Sequence, residues 1–292
     1  MKSISGEQRI RRGSGSTDPA FLAAVGQVLR EIAETCDEQC LELKKSLEEA
    51  YLLNHMGSVW ENARLIREGL SLVPARGAAR RSLLDIGTSP LTFVYRLYFQ
   101  AVDVATVDLT PLLAARCEKH AITPKQCDLV REAIPFETAS FDVCVFTEVM
   151  EHLPGGPGRA FAEIKRILRP GGVLVFSLPN AANMRNRLRL LAGRPILDPI
   201  YEVFKEDAGE HSLGEGVWVH GFGHIREFTM SETLDIVRHY GFEPLRARCI
   251  DPYRAPLQGS GLLMRIAFPL YRIGSSVVPN SRVINAVLCR AR

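Results

Sequence analysis

The chain has 292 residues, a hydrophobic fraction of 46%, a charged fraction of 24% and a formal net charge of +3. These values are typical of a globular enzyme that can bury a large core, and they exclude a mostly disordered chain. So small a net charge does not support nucleic-acid binding, and none is expected. The seven cysteines are scattered without a Cys-x-x-Cys pair, which argues against a disulfide framework or a structural zinc site and favours the cytoplasm.

The N-terminal quarter of the chain is predicted to be helical. Residues 1–17 are basic and rich in glycine and serine, and we expect them to form a flexible arm. Residues 18–78 are predicted to form a helical N-terminal cap. Apolar residues at three- and four-residue spacing indicate one helix after Pro19 and two more, at about 41–51 and 59–70. The chain lacks an uninterrupted run of 18 apolar residues, so no transmembrane helix is predicted.

From residue 79 onward, short apolar runs alternate with helical patterns. The runs that predict strands are "SLLDIG", "VATVDL", "FDVCVFTEV", "GGVLVFSLPN", "EPLRARCI" and "INAVLCRAR". Because the first four are apolar on both faces, they predict an α/β fold with a doubly wound parallel sheet over 79–292. The helix "MSETLDIVRHYGF" is predicted to have Ser231 as its N-cap. Residues 180–229 are too long for an ordinary connection, and we interpret them as a substrate or lid insertion.

Acidic residues follow the predicted strands at regular intervals. Asp85, Asp108, Asp128 and Glu148 are 23, 20 and 20 residues apart, each at or just after the carboxyl end of a strand or its equivalent loop. Open parallel sheets bind their ligands at this edge. The four acids therefore predict a ligand site there.

The turn after the first strand tests which ligand fits. A dinucleotide fingerprint needs Gly-x-Gly-x-x-Gly, but the segment from Asp85 supplies only Gly87, with Ser89 and Thr92 at the other glycine positions. The acid would also repel a diphosphate, so a dehydrogenase is disfavoured. A sulfonium nucleoside with an amino-acid tail carries no phosphate, and a carboxylate attracts its positive charge.

The remaining acids suit the other parts of such a nucleoside. Asp108 stands where an acid accepts both ribose hydroxyls, and Asp128 could accept from the adenine amine. Apolar walls for the base would come from Leu109, Cys127 and Leu129.

The order of the motifs "LLDIGT", "VDLT", "CDLVREAIPFETASFDVCVFTEVMEHL", "EIKRILRPGGVLVFSLPN" and "GHIREFTMSETLDIVRHYGFE" resembles the class I S-adenosylmethionine-dependent methyltransferases. The resemblance covers about 80–250 and is greatest to the branch acting on small molecules, sugars and lipids. It implies a Rossmann-like seven-stranded sheet whose last strand is antiparallel, with S-adenosyl-L-methionine across the carboxyl ends of the first strands. The implied cofactor-binding residues are Asp85, Gly87, Thr88, Ser89, Asp108, Leu109, Cys127, Asp128, Leu129 and Glu148. The chain departs from the family at Ser89 and Leu91, where glycine is common.

Methyl transfer needs positioning and removal of a proton from the acceptor, and it requires no metal. Histidine is the side chain suited to take that proton near neutral pH. The candidates are His152, after the fourth strand, and His220 and His224, in the insertion. We expect O-methylation of a natural product, sugar or lipid-like acceptor. An N- or C-methyltransferase and a non-catalytic scaffold of the same fold remain alternatives.

Basic residues favour a further contact. Arginines between 185 and 194 alternate with leucines, and the stretch near 261–278 is basic and apolar. These features suit a peripheral membrane surface or a lipid-linked acceptor, although a solvated helix face explains them as well. A homodimer also remains open.

Overall fold

A computed structural model describes residues 6–34, 39–74, 77, 79–154, 156–197, 211–212, 218–219, 224–252 and 262–292. Its helices are α1 (Gly6–Ser14), α2 (Pro19–Glu34), α3 (Gln39–Leu72), α4 (Pro90–Tyr98), α5 (Ala114–Lys119), α6 (Gly158–Ile167), α7 (Met184–Leu191), α8 (Met230–His239) and α9 (Leu262–Val277). Its strands are β1 (Arg81–Ile86), β2 (Val102–Asp108), β3 (Thr123–Gln126), β4 (Phe141–Thr147), β5 (Leu168–Pro179), β6 (His211–Ser212), β7 (Trp218–Val219), β8 (Phe242–Ile250) and β9 (Ile284–Ala291).

Seven of these strands form one sheet in the order β3-β2-β1-β4-β5-β9-β8. Strands β1 to β5 pair in parallel, and β9 is antiparallel to both of its neighbours. The predicted Rossmann-like seven-stranded sheet with an antiparallel last strand is therefore confirmed. Strand β3 was not predicted, because Thr123–Gln126 is short, contains a proline and is mostly exposed.

Both faces of the central strands β1 and β4 are buried, as the apolar strand sequences predicted. Along β1, Leu83 packs into one core cluster with side chains of α2, α3 and α4, whereas Leu84 packs into a second cluster with α6 and α8. Val143 and Cys144 alternate in the same way along β4. Successive side chains of a strand point to opposite faces, so helices cover each side.

Helix α3 is continuous, so the prediction of two separate helices over 41–70 was wrong. Gly57 lies at the expected break, but its N–H donates to the Pro252 carbonyl oxygen (2.9 Å). A Cβ atom there would stand 2.5 Å from the Asp251 carbonyl oxygen. The glycine therefore marks a close approach of two backbones. Further along α3, a Cβ atom at Gly69 would stand 2.7 Å from Val173 of β5, which shows how closely the helix packs on the sheet.

Residues 6–14, expected in a flexible arm, instead form α1. Ile10 is buried in the core cluster shared with α2 and α3, and the Ser14 hydroxyl donates to the Ile10 carbonyl oxygen (2.8 Å). Gly13 contacts the Met56 side chain of α3. A single apolar residue among basic and polar ones gives no helical periodicity, so the sequence pattern missed this helix.

The predicted insertion is described at its two ends and in the short β6–β7 pair. Helix α7 contacts α9, since a Cβ atom at Gly274 would lie 3.5 Å from Met184 Cε. Helix α8 begins with Thr229 as its N-cap, and the prediction of Ser231 was wrong. The Thr229 N–H donates to Glu232 Oε2 (2.8 Å), and Glu232 N donates back to Thr229 Oγ1 (3.3 Å). This reciprocal pair favours the earlier start. Within the described residues, none of the helices has the length and hydropathy needed to span a bilayer.

Candidate functional site

The four acids of the sequence pattern lie along one edge of the sheet. Asp85 and Asp108 lie in or at the carboxyl ends of β1 and β2, which are neighbours in the sheet. Asp128 follows β3, and Glu148 follows β4 on the other side of β1. Because β3, β2, β1 and β4 are adjacent and parallel, the four acids surround the loop that leaves β1.

Gly87 makes that loop possible. Its φ of +89° is in the left-handed region, which glycine adopts without strain. Its N–H donates to the Val107 carbonyl oxygen (2.9 Å), and a Cβ atom would stand 2.8 Å from Val149 Cγ2. Another residue here would therefore strain the backbone and push against the loop after β4.

Ser89 and Leu91, at the positions where glycine is common, and Pro90 between them each have a structural role. Ser89 is the N-cap of α4, and its Oγ accepts from Leu91 N (3.2 Å), while Ser89 N donates to Thr92 Oγ1 (3.1 Å). Pro90 occupies the first helical position, where the missing N–H costs nothing. Leu91 is buried in the core cluster shared with α2 and α3. The three residues therefore build the start of α4 and pack it against the cap.

Asp85 is a buried carboxyl group at the base of the loop. It is 3% exposed, and its Oδ2 accepts from Thr92 Oγ1 (2.6 Å). Burial raises the pKa of Asp85 to about 7 against the opposing effect of that hydrogen bond, and the charge of Asp108 raises it further. A positively charged ligand beside Asp85 would favour its ionised form.

Asp108 is held in place by the backbone of two loops. Its Oδ2 accepts from Thr88 N (2.7 Å), and its Oδ1 accepts from Thr110 N (2.9 Å). The Thr88 hydroxyl lies 2.8 Å from that of Thr106. Burial raises the pKa of Asp108, and the hydrogen bonds from Thr110 and Thr88 oppose the rise. Oδ1 also accepts from Thr110 Oγ1 (3.3 Å), whereas Oδ2 keeps a further lone pair that can accept from a ligand.

The loop after β3 has buried and exposed parts. Cys127 and Leu129 are buried, whereas Leu109 is half exposed. The half-buried Asp128 accepts through Oδ1 from Val130 N (2.9 Å) and so stabilises its own turn. Cys127 N donates to the Asp108 carbonyl oxygen (2.9 Å), which ties this loop to the end of β2.

Two glutamates follow β4. Glu148 has a left-handed φ of +54°, and its Oε1 accepts from Ser177 Oγ (2.7 Å). Removal from water raises the pKa of Glu148 to about 7. Glu151 is buried, and neither of its carboxylate oxygens accepts a hydrogen bond from the described residues. Burial, followed by the charge of Glu148, raises the pKa of Glu151 well above its usual range.

The structure brings two of the three candidate histidines together. The ring centroids of His152 and His224 are 5.1 Å apart. His224 Nδ1 lies 3.2 Å from Glu227 Oε1, and Glu227 Oε2 accepts from Asn186 Nδ2 (2.9 Å). His220 lies outside the described residues.

Sequence analysis missed four residues of this site. Glu151, Glu227 and Asn186 adjoin the histidine pair, but only the position of Glu151 beside His152 could have indicated it. Tyr51 comes from α3 of the cap. Partial removal from water raises the pKa of Tyr51, and the charges of Glu148, Glu151 and Asp85 add to the rise. The sequence did not indicate Tyr51 as a site residue, because the apolar spacing pattern predicts only that it lies in a helix.

A family model described as a methyltransferase domain matches residues 84–176. An uncharacterized methyltransferase of Mycobacterium marinum is 37% identical over 112 residues, which are 35% of this chain and 42% of that protein. The chain thus spans about two fifths of the length of that relative.

Two further comparisons extend over more of the chain. An uncharacterized methyltransferase of Mycolicibacterium vanbaalenii is 30% identical over 218 residues, 74% of this chain and 71% of that protein. A Haloferax volcanii methyltransferase, solved in complex with a methyltransferase activator, shares the fold with a TM-score of 0.52 at 12% identity, covering 91% of this chain and 97% of that one. The motif order, the strand order and the extended match to the second relative agree, and the chain belongs to the class I S-adenosylmethionine-dependent methyltransferase family.

Proposed function

We propose that the protein transfers the methyl group of S-adenosyl-L-methionine to an oxygen atom of a small-molecule acceptor. The acceptor oxygen attacks the methyl carbon, the carbon–sulfur bond breaks toward sulfur, and the hydroxyl proton passes to a histidine. The observation that carries this proposal is the His152–His224 pair, 5.1 Å apart, next to the acids at the carboxyl edge of the sheet. Positioning and proton removal are the contributions that such a displacement needs.

The cofactor assignment rests on the acids around Gly87. We assign the amino-acid and sulfonium end to the region of Asp85 and Gly87, with Thr88 and Ser89 lining the loop. Asp108 is oriented to accept from ribose hydroxyls, and Asp128 lies one loop further toward the base. The apolar walls would be Leu109, Cys127 and Leu129, while Glu148 would border the reactive end.

The affinity for S-adenosyl-L-methionine is expected to rise with pH. Because burial raises the pKa of Asp85 to about 7, the free protein favours the protonated carboxyl group below pH 7. A bound cation favours the ionised form, so binding should be about tenfold tighter at pH 8 than at pH 6. Isothermal titration calorimetry at both pH values measures this difference. Asp85→Asn should flatten the dependence, whereas Asp235→Asn, on the exposed face of α8, should preserve it.

The raised pKa of Asp85 also makes the stability of the free protein depend on pH, in the direction opposite to that of the cofactor affinity. The folded-state pKa of Asp85 is above its ordinary value, so its contribution to stability is largest at low pH and is lost as the pH rises toward and through about 7. An affinity for the cofactor that is equal at pH 6 and pH 8 would contradict the placement of its positive charge near Asp85.

A non-catalytic scaffold of the same fold is the second candidate function, favoured by Ser89 and Leu91 in place of glycine. What supports the enzyme over the scaffold is that Ser89 caps α4 and Leu91 is buried in the core. Calorimetric titration with S-adenosylhomocysteine separates the two. Absence of S-adenosylhomocysteine binding at millimolar concentration would refute the enzyme hypothesis. Identifying the methylated atom of the product would distinguish O-methylation from N- or C-methylation.

We further propose that residues 180–229 form a lid over the acceptor. The C-terminal end of this segment brings His224 to the site, and α7 reaches it through the Asn186–Glu227 hydrogen bond (2.9 Å). A lid so connected would exclude water when the acceptor binds. We also propose that the protein is cytoplasmic, which the unpaired state of the described cysteines supports.

The surface formed by α7 and α9 supports the membrane or lipid-linked contact. Six large apolar side chains are exposed there, up to 85% for Leu191. They are Leu188, Leu190, Leu191, Leu270, Ile273 and Val277. Neither helix contains an acidic residue, and both contain arginines. An apolar surface with basic residues favours an interface with anionic lipid.

Sedimentation with vesicles tests this surface. The protein should bind vesicles containing anionic phospholipid at low salt and bind neutral vesicles less tightly. Leu191→Ser with Leu270→Ser should weaken binding at least tenfold, because two exposed apolar anchors are removed. Leu112→Ser, which removes an exposed leucine outside both helices, is the matched control. Equal sedimentation of the double variant and the unsubstituted protein would refute the assignment.

A further inference from the structure

Three metal-binding side chains converge beyond β4. Donor atoms of Glu151, His152 and His224 all lie within 4.8 Å of one another. Two of these residues are adjacent in the chain, whereas His224 is brought in by the end of the 180–229 insertion. Two imidazoles and one carboxylate form a donor set that zinc accepts in catalytic sites. Sequence analysis assigned no metal site, because the separation of His152 and His224 does not correspond to a ligand spacing motif.

The burial of Glu151 gives independent support for a cation site. Its side chain is buried, yet neither carboxylate oxygen accepts a hydrogen bond from the described residues. His152 Nε2 lies 4.0 Å from Oε1, at the limit of an ion pair. A buried carboxylate is costly unless it is paired or bound to a metal. A cation between Glu151 and the two imidazoles would satisfy it.

The surroundings orient one histidine for ligation. His224 Nδ1 lies 3.2 Å from Glu227 Oε1, so Nδ1–H can donate to that carboxylate while Nε2 remains the donor for an ion. The Asn186 side chain in turn donates to Glu227 Oε2 (2.9 Å). Metal-bound histidines commonly have such a carboxylate behind them, and it fixes the ring and raises its basicity.

We propose that Glu151, His152 and His224 bind a divalent transition-metal ion, with zinc as the best match to this donor set. Donors about 2 Å from a tetrahedral ion stand about 3.3 Å from one another, so the observed spread has to contract by about 1.5 Å. The His152 side chain is 36% exposed and can supply this contraction by rotation. Three protein ligands leave a further coordination position open.

Metal binding goes beyond the proposed methyl transfer and does not depend on it. If the acceptor hydroxyl takes the open position, the ion would lower the pKa of that hydroxyl, and the histidines would hold the ion instead of receiving the proton. In the metal-free protein, the same pair is available as the base. The site is therefore expected to have two states: a metal-bound state in which the histidines are ligands, and a metal-free state in which they can act as the base.

Zinc titration of the metal-free full-length protein tests the proposal. Calorimetry should show one tight site per chain, and metal analysis after gel filtration should confirm the stoichiometry. Glu151→Gln keeps the size of the side chain and should weaken zinc binding at least a hundredfold, as should His224→Ala. Glu227→Gln should cost about 10- to 100-fold, as measured for residues that support a ligand.

The controls separate this site from other zinc-binding groups and from the methyltransferase proposal. His239→Ala, on the exposed end of α8, should bind zinc like the unsubstituted protein. Circular dichroism establishes that each variant is folded. Zinc binding that is equal in the unsubstituted protein, Glu151→Gln and His224→Ala would overturn the proposal. Titration with S-adenosylhomocysteine on the same samples reports cofactor binding separately, so the two proposals can fail independently.

Discussion

Replacing His152 or His224 by alanine is expected to lower kcat by about a hundredfold to ten-thousandfold, while the Kd for S-adenosylhomocysteine stays nearly unchanged. The two rings are 5.1 Å apart beyond β4, whereas Asp85 and Asp108 lie in the preceding strands and their hydrogen bonds do not involve either histidine. Loss of an imidazole should therefore remove a proton acceptor and leave the cofactor contacts in place. Formation of S-adenosylhomocysteine by purified protein measures the rate.

The acceptor for this assay can be found by comparing methylated metabolites of the host with and without the gene. His239→Ala is the matched control, because His239 is exposed at the end of α8 and is expected to have no effect. Added imidazole should restore part of the rate of His152→Ala if the lost function is proton transfer. Full activity in both alanine variants would show that neither ring is the base.

Chelator treatment separates a base from a metal ligand. If the histidines act as bases, the unsubstituted protein should keep its rate after removal of divalent ions, and the alanine variants should remain slow with or without zinc. If an ion activates the acceptor, the chelated protein should slow and should recover on addition of zinc. The carboxylate behind His224, Glu227, supports either role because it fixes the ring.

The sheet was predictable because its evidence is local. Each of the strands β1, β2, β4 and β5 has apolar residues on both faces, and the acids at their ends mark one edge of the sheet. Asp85, Asp108, Asp128 and Glu148 were placed at that edge for this reason. Strand β3 gave no such signal, since Thr123–Gln126 is mostly exposed.

The grouping of the site was less predictable because it depends on distant contacts. His224 reaches His152 across the insertion, and its partner Glu227 is held by Asn186 of α7. Spacing along the chain does not encode such a contact. The burial of Leu91 also depends on distant contacts. Leu91 stands where glycine is common, and it is part of the core because α4 packs against the cap.

The continuous helix α3 also shows that the local sequence pattern does not determine where a helix ends. The apolar spacing over 41–51 and 59–70 predicted two helices, and Gly57, a weak helix former, lies between them. In the fold, the absence of a side chain there lets the backbone at Asp251 and Pro252 approach, and Gly57 N donates to the Pro252 carbonyl oxygen (2.9 Å). Tertiary contacts outweigh the propensity of one residue.

Asp142→Ala is expected to lower the free energy of unfolding by about 3–5 kcal/mol. Asp142 Oδ1 lies 2.6 Å from Arg169 Nε, and both side chains are buried. The other oxygen, Oδ2, accepts from Ser82 N (2.8 Å) and Ser82 Oγ (3.2 Å). Arg169 also donates to the Pro74 carbonyl oxygen, so the pair connects the end of the cap to β1, β4 and β5. Removing the carboxylate leaves a buried guanidinium without its counter-charge.

Urea denaturation measures this loss, and two variants test its cause. Asp235→Ala removes an exposed partner of Arg238 (3.4 Å) and should cost less than about 0.5 kcal/mol. Replacing both members of the buried pair, as in Asp142→Leu with Arg169→Met, should recover much of the lost stability, because no unpaired charge remains. A double variant as unstable as Asp142→Ala would instead assign the loss to the hydrogen bonds with Ser82.

The Asp142–Arg169 pair lies far along the strands from the proposed cofactor site, so its loss tests whether stability and cofactor binding depend on different ends of the sheet. Asp142, Arg169 and Ser82 lie at the amino ends of their strands, whereas Asp85 and Glu148 lie in or beyond the carboxyl ends. The folded fraction of Asp142→Ala should therefore bind S-adenosylhomocysteine with nearly the affinity of the unsubstituted protein. A variant that kept its stability but lost the cofactor would show that the two edges of the sheet are coupled. Since the two edges are separated by the length of the strands and share none of the hydrogen bonds described above, we expect them to behave independently.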